Sequence, residues 1–242
     1  MLRECRFLLM EAAGELLDDA HYELGPAARL RVAVPAVASR VAAELRRQLI
    51  TGKWVPGMRL NEPTIAEELG VSRNTLREAF AELGAERLVV RLPNRGVFVA
   101  APGADDLRDF YTVRRAIEVS AVRNGGSAER IAAIQEAVAE GRKAAKAKDK
   151  ERLADANLGF HRTIVEMAES QRLNTLMNQV LAEMRLFFFK EPVNVEFYSR
   201  YVEENAEIAK ALAEARFDEA ASLLADYLDR SEQHLFEIYD AS

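Results

Sequence analysis

The sequence predicts a mainly α chain in two parts: an N-terminal winged helix-turn-helix over residues 34–101 and a C-terminal all-α helical bundle over residues 102–242. Three observations carry this. The stretch from Leu60 to Val99 reads as a helix, a tight turn, a second helix and a two-stranded ribbon. From Asp105 onward every segment repeats its apolar residues at helical spacing, and none alternates like a strand. Between the two, the run from Ala100 to Ala104 contains Pro102-Gly103, which breaks the ribbon and opens the second part.

The elements follow in order. Residues 1–33 form an N-terminal extension without assignment, although the run from Glu11 to Ala20 could make a short helix. Val37, Val41, Leu45 and Leu49 then mark an amphipathic helix from Ala36 to Ile50, closed by Thr51-Gly52 and a Pro56-Gly57 turn. Trp54 in that connection is expected to pack on the domain. Pro63 suits a helix N-terminus, and Gly70 can take the left-handed geometry that ends the helix. Ser72 is placed to cap the next helix through the N–H of Asn74 or Thr75. Leu76, Ala79, Phe80 and Leu83 make its apolar stripe. The residues from Leu88 to Leu92 and from Gly96 to Val99 are β-rich, joined by the turn Pro93-Asn94-Arg95. Six helices are expected after that, over residues 107–122, 128–148, 150–169, 172–190, 195–215 and 219–239, with Ser127, Asp149 and Asp218 as N-caps.

Charge is unevenly distributed. The chain of 242 residues carries a net −6, but residues 1–33 hold 4 basic and 6 acidic side chains, residues 34–101 hold 10 and 7, and residues 102–242 hold 19 and 26. A basic module on an acidic body is the pattern expected when one part alone meets phosphate. The single cysteine, Cys5, allows neither an intrachain disulfide nor a thiolate zinc site, which fits a reducing cytoplasm. No apolar run approaches the length of a membrane span, and acids crowd the short apolar patch at the N-terminus, unlike a secretory signal.

The exposed side of the second helix of the motif presents Arg73, Asn74, Thr75 and Arg77 near its N-terminus, the part that faces base edges in the major groove. Arginine can pair bidentately with guanine and Asn with adenine, while Ser and Thr hydroxyls suit phosphate. The competing reading is a solvated face with ordinary links such as Arg73 to Glu78 or Arg77 to nearby acids. The ribbon, with Arg95 at its turn, favours the DNA reading. These runs, ITGKWVPGMRL, IAEELGVSRNTLREAF and RLVVRLPNRGVFV, resemble the DNA-binding domain of the GntR family of bacterial transcription regulators. The helical remainder is similar to the FCD effector domain of its FadR-like branch, so the resemblance covers about residues 35 to 240. It implies that Arg73 and Arg77 read bases, that Ser72 and Thr75 meet phosphate or sugar, and that Gly96 enters the minor groove from the wing. Where many relatives carry an arginine near the start of the first helix of the motif, this chain has Glu62-Pro63.

The bundle lacks a Gly-rich phosphate loop, a Gly-x-Ser-x-Gly elbow and a His-Glu-x-x-His pair, so no catalytic residue is assigned. His161 shares its helix with Leu153, Asn157, Phe160, Ile164 and Met167 and points inward. The FCD resemblance implies a divalent metal held by an aspartate, a histidine one turn on, and two histidines from the last two helices. Here only His161 matches, with Asn157, Asn205 and Tyr227 at the other positions, so no cofactor or metal is expected. These four groups either pair among themselves or bond an effector directly. Arg114 either meets an anionic group of that effector, a carboxylate for example, or links to Glu118 one turn on.

The leading expectation is a homodimeric repressor that binds a double-stranded DNA operator and senses a small molecule through Arg114, Asn157, His161, Asn205 and Tyr227. The rival is a helical small-molecule-binding or catalytic domain whose winged module mediates protein contacts. Leu186-Phe187-Phe188-Phe189 adds to the expectation of a dimer, because three consecutive aromatics cannot all face one core and at least one should meet another helix or a second subunit.

Overall fold

The computed structural model describes residues 35–190 and 195–240. The expected helix within residues 1–33 lies outside these.

Helix α1 (Pro35–Ile50) buries Ala42, Leu45 and Leu49 against the helix-turn-helix. A short strand β1 (Arg59–Leu60) leads into α2 (Glu62–Glu68), which Asn61 caps through the N–H of Thr64 and Pro63 helps to start. Gly70 ends that helix at φ +63, and its N–H donates to the carbonyl of Glu67. Ser72 Oγ then accepts from the N–H of Thr75 at 3.1 Å and caps α3 (Arg73–Ala85), as its sequence predicts. The apolar stripe of α3, Leu76, Ala79, Phe80 and Leu83, is fully buried. Strands β2 (Val89–Leu92) and β3 (Gly96–Val99) form the wing, and Asn94 at φ +59 makes the tight turn between them. The ribbon has three strands and not the expected two. Arg59 pairs with Phe98 and Leu60 with Val97, giving the order β1-β3-β2. Trp54 is buried in this core, as expected.

The bundle comprises α4 (Ala104–Asn124), α5 (Ala128–Ala147), α6 (Lys150–Glu166), α7 (Gln171–Lys190), α8 (Val195–Ala213) and α9 (Phe217–Asp240). Ser127 and Asp149 cap α5 and α6 as expected. Asp218 is not a cap: the left-handed turn at Ala215 lets α9 begin at Phe217, so Asp218 falls in the first turn, where its charge suits the helix dipole. Helix α4 packs along α9, α5 lies against α6 and α8, and α6 completes the layer beneath α4.

Helix α7 joins the two parts. Leu186 is wholly buried and belongs to the core of the winged domain, whereas Phe187 stacks on Tyr239 and Phe188 meets Tyr198, both inside the bundle. Phe189 lies against Gly52. A Cβ built there would stand 2.8 Å from the ring, and φ is +76, so space and backbone both call for glycine. Arg185 Nε donates to the carbonyl of Ile50, and its Nη1 pairs with Asp155 of α6 at 3.2 Å. The aromatic run is therefore accommodated within one chain, and it no longer argues for a second subunit.

Candidate nucleic-acid interface and buried polar cluster

The first turns of α3 stand free of the core. Ser72, Arg73, Asn74 and Arg77 are exposed and Thr75 is half-buried, its hydroxyl 2.9 Å from Ser72 Oγ. Beside them a cleft of about 560 Å³ runs from α2 to the wing, with Arg59, Asn61, Glu62, Arg73, Arg77 and Gly96 on its walls. Arg95 is exposed at the wing turn, its guanidinium over the Phe98 ring at 5.9 Å. Arg73 makes no ion pair with Glu78. Arg77 does have an acidic partner, but it comes from α2: Nε donates to Glu62 Oε2 at 3.0 Å. Of the seven residues expected at DNA, Arg73, Arg77 and Gly96 share this cleft, Ser72, Asn74 and Thr75 stand at the head of α3 beside Arg73, and Arg95 is at the wing turn next to Gly96. Arg59 and Glu62 were missed as members of this cleft, because only pairing of β1 with β3 brings Arg59 beside Gly96.

In the bundle, four helices bring the expected polar groups together. Glu118 Oε1 accepts from Arg114 Nε at 2.7 Å, and its Oε2 lies 2.7 Å from His161 Nδ1. His161 Nε2 is 3.0 Å from the Tyr227 hydroxyl, which is itself 3.2 Å from Asn157 Oδ1. Asn205 Nδ2 donates to Asn157 Oδ1 at 3.1 Å. The competing link of Arg114 to Glu118 is therefore formed, and the four polar residues pair among themselves. Glu118 was singled out by the sequence only as that rival partner, yet it is the hub.

Burial sets the protonation of this chain of contacts. Desolvation is the largest single influence on Arg114 and Glu118 and opposes both charges, but the partners together outweigh it: Glu118, with Tyr111 and Tyr227, raises the arginine, and Arg114 with His161 lowers the carboxyl. Burial lowers His161, and Arg114 lowers it further despite Glu118. We take the imidazole as neutral, with Nδ1–H donating to Glu118 and Nε2 accepting from the Tyr227 O–H, whose one proton is shared with Asn157 Oδ1. Burial also pushes the Tyr227 phenol well up, so it keeps its proton.

Such a set does not fit a transition metal. It supplies one imidazole with both nitrogens engaged, two neutral amides and a protonated phenol, and the one carboxylate beside them, Glu118, already has its oxygens bonded to Arg114 and His161, where a tight site uses about three good donors. Among the described residues no three His, Cys, Asp or Glu side chains gather into a possible metal site. What the cluster offers instead is hydrogen bonding. Three buried polar side-chain atoms among the described residues lack a partner, and two of them, Arg114 Nη2 and Asn205 Oδ1, belong here.

A winged head with a cationic reading helix, carried on a helical domain with a polar interior, defines the class of DNA-binding transcription regulators that have an effector domain. Comparison with known proteins makes this specific. The chain belongs to the GntR family: the profile of bacterial regulatory proteins, gntR family, matches residues 37–99, and that of the FCD domain matches residues 109–230. It is 27% identical over 188 residues to the Nta operon transcriptional regulator of Aminobacter aminovorans, covering 76% of this chain and 87% of that one. It is 28% identical over 151 residues to the gluconate operon transcriptional repressor of Bacillus licheniformis, covering 61% of this chain and 62% of that protein. A crystal structure of a GntR transcriptional regulator from Rhodococcus sp. RHA1 superposes with a TM-score of 0.79 at 36% identity, over 84% of this chain and 99% of that one. The chain is accordingly a DNA-binding regulator controlled through its helical domain.

Proposed function

We propose that this regulator is a cytoplasmic homodimeric repressor that sets two α3 helices in successive major-groove segments of a pseudo-palindromic operator. The observation that carries this is the exposed row Arg73, Asn74 and Arg77 at the head of α3, with Arg95 on the adjoining wing. Pairing of heads follows from the small surplus of charge on residues 34–101, because one weakly basic head gains affinity when a second is tethered to it. Arg73 and Arg77 read base edges, Asn74 and Thr75 support them, Ser72 and Arg95 meet the backbone, and Gly96 lets the wing approach the minor groove.

The effector is read as a small hydroxylated compound, held without a metal by Arg114, Asn157, His161, Asn205 and Tyr227. A hydroxyl can accept from Arg114 Nη2 and another can donate to Asn205 Oδ1. Glu118 already balances the charge of Arg114, so any carboxylate on the effector lies away from this pair. The gluconate operon named for one relative is concerned with such a hydroxylated acid. Occupancy changes the helix packing by as much as the ligand's preference for one state allows. No catalytic role is assigned.

The test is operator binding by the full chain, with sites isolated by genomic footprinting. Arg73→Ala and Arg77→Ala should each weaken binding about tenfold or more. If the pair together leave affinity and its salt dependence unchanged, α3 does not meet DNA and the winged module serves protein contacts.

A further inference from the structure

A carboxylate is out of place in a cleft that faces phosphate. Glu62 nevertheless sits at the start of α2, between Arg77 of α3 and Arg91 of β2, with its side chain only 19% exposed. Its Oε2 takes the Nε–H of Arg77 at 3.0 Å, and its Oε1 is 3.9 Å from Arg91 Nη2. Arg59 and Arg73, on the same cleft, have no acidic partner among the described residues. The acid thus hydrogen-bonds one arginine in particular, Arg77, with Arg91 only at the edge of ion-pair range.

The atoms that Glu62 leaves free are informative. With Nε held from behind, the plane of the Arg77 guanidinium is fixed while Nη1 and Nη2 stay unpaired, and the Arg77 side chain is 55% exposed. Those two donors are the fork that matches O6 and N7 of guanine. A free arginine can choose between a base edge and the nearest phosphate. One tethered at Nε gives up much of that choice, and the neighbouring carboxylate repels phosphate.

Resting on the reading that α3 enters the major groove, we propose that Glu62 is a specificity-determining positioning residue: it holds Arg77 end-on for a guanine and lowers affinity for DNA in general. Arg73, which has no such tether, reads its base edge unheld, and Arg59 remains free to follow the backbone.

The experiment is selection of the full chain on randomised duplex DNA, with titration on a random-sequence duplex, for wild type, Glu62→Ala, Glu62→Gln, Arg77→Ala and the double variant Glu62→Ala/Arg77→Ala. Removing the acid should raise affinity for random duplex about threefold, as expected for one charge about 7 Å from phosphate in water. Glu62→Ala should also flatten one guanine preference in each half-site and cut the ratio of selected-site to random affinity about tenfold. Glu62→Gln, which still offers an acceptor to Nε, should keep part of that preference while showing the same rise on random DNA. Arg77→Ala should lose the same base pair, and the double variant should lose no more. A residue that merely supported the fold would move none of these positional preferences selectively. The proposal is overturned if Glu62→Ala keeps every base preference, or if the double variant loses two separate base pairs, which would make Glu62 a reader in its own right. If wild type selects no sequence at all, the DNA reading beneath the proposal fails with it.

Discussion

Replacing Glu118 with leucine would strand a guanidinium inside the bundle. Arg114 and Glu118 have side chains 3% and 0% exposed, and their contact of 2.7 Å is the charge balance of the cluster. Removing one member of a buried pair costs about 3–5 kcal/mol, because the other keeps its desolvation penalty without compensation. His161 Nδ1–H loses its acceptor in the same step, worth about 1–2 kcal/mol more. A total of about 5 kcal/mol is a large part of the ~5–15 kcal/mol that stabilises a typical domain. With a slope of about 3 kcal/mol per molar urea, the midpoint should fall by about 1.7 M. Replacing both residues, Arg114→Leu with Glu118→Leu, removes both charges, and most of the loss should be recovered. Urea titration followed by circular dichroism reports the bundle, and the fluorescence of Trp54, the one tryptophan, reports the winged domain. The reasoning is refuted if Glu118→Leu costs under about 1 kcal/mol, or if the double variant is as unstable as the two single losses added together.

Two further outcomes follow from the cluster. Since the fold lowers His161 below its ordinary value, the unfolded chain binds more protons on acidification, so this contribution is complete above about pH 6.5 and is lost as pH falls towards the folded value. Relative to His161→Gln, wild type should therefore lose up to about 1.4 kcal/mol per pH unit below pH 6.5 in unfolding titrations. A gain on acidification would mean an imidazolium in the fold and would reverse the proton assignment. Elemental analysis of protein purified without chelator should find well under one divalent metal per chain, and sedimentation of that preparation should show a dimer. A stoichiometric metal lost on His161→Ala would restore a metal-dependent effector site, and a concentration-independent monomer would remove the paired heads.

Much of this was legible in the sequence, for local reasons. The periods of α1 and α3 to α9, the Ser72 cap and the glycine at Gly70 are set by neighbours within a few residues, so pattern alone finds them. Asn157, His161, Asn205 and Tyr227 could be grouped because the FCD resemblance places them at the positions of that domain's metal ligands; helix period alone would not have joined residues from three separate helices. Glu118 could not be ranked, since an acid one turn after an arginine looks the same whether it is solvated or fully buried. Strand β1 has two residues and exists only through its pairing with β3, a contact nearly forty residues away in sequence that no local period announces. The link between Arg77 and Glu62 likewise spans two helices. The aromatic run was read correctly as too much for one core, but which neighbour took the excess depended on how the two parts dock.

That docking makes the chain less modular than its order suggests. Pro102-Gly103 looks like a natural place to cut, and exchanging heads at such a point is the obvious way to build a hybrid regulator. Yet one side chain of the helical half, Leu186, is a wholly buried member of the head's core, and the next residue belongs to the bundle. A transplanted head would arrive with a hole the size of a leucine, worth about 2–5 kcal/mol if left unfilled. A working chimera should therefore carry its own version of the α7 face, with Leu186, Phe189 and Arg185 exchanged together with Gly52 and the end of α1. For protein engineering, the inheritable unit is the head together with one face of a helix more than eighty residues further along the chain.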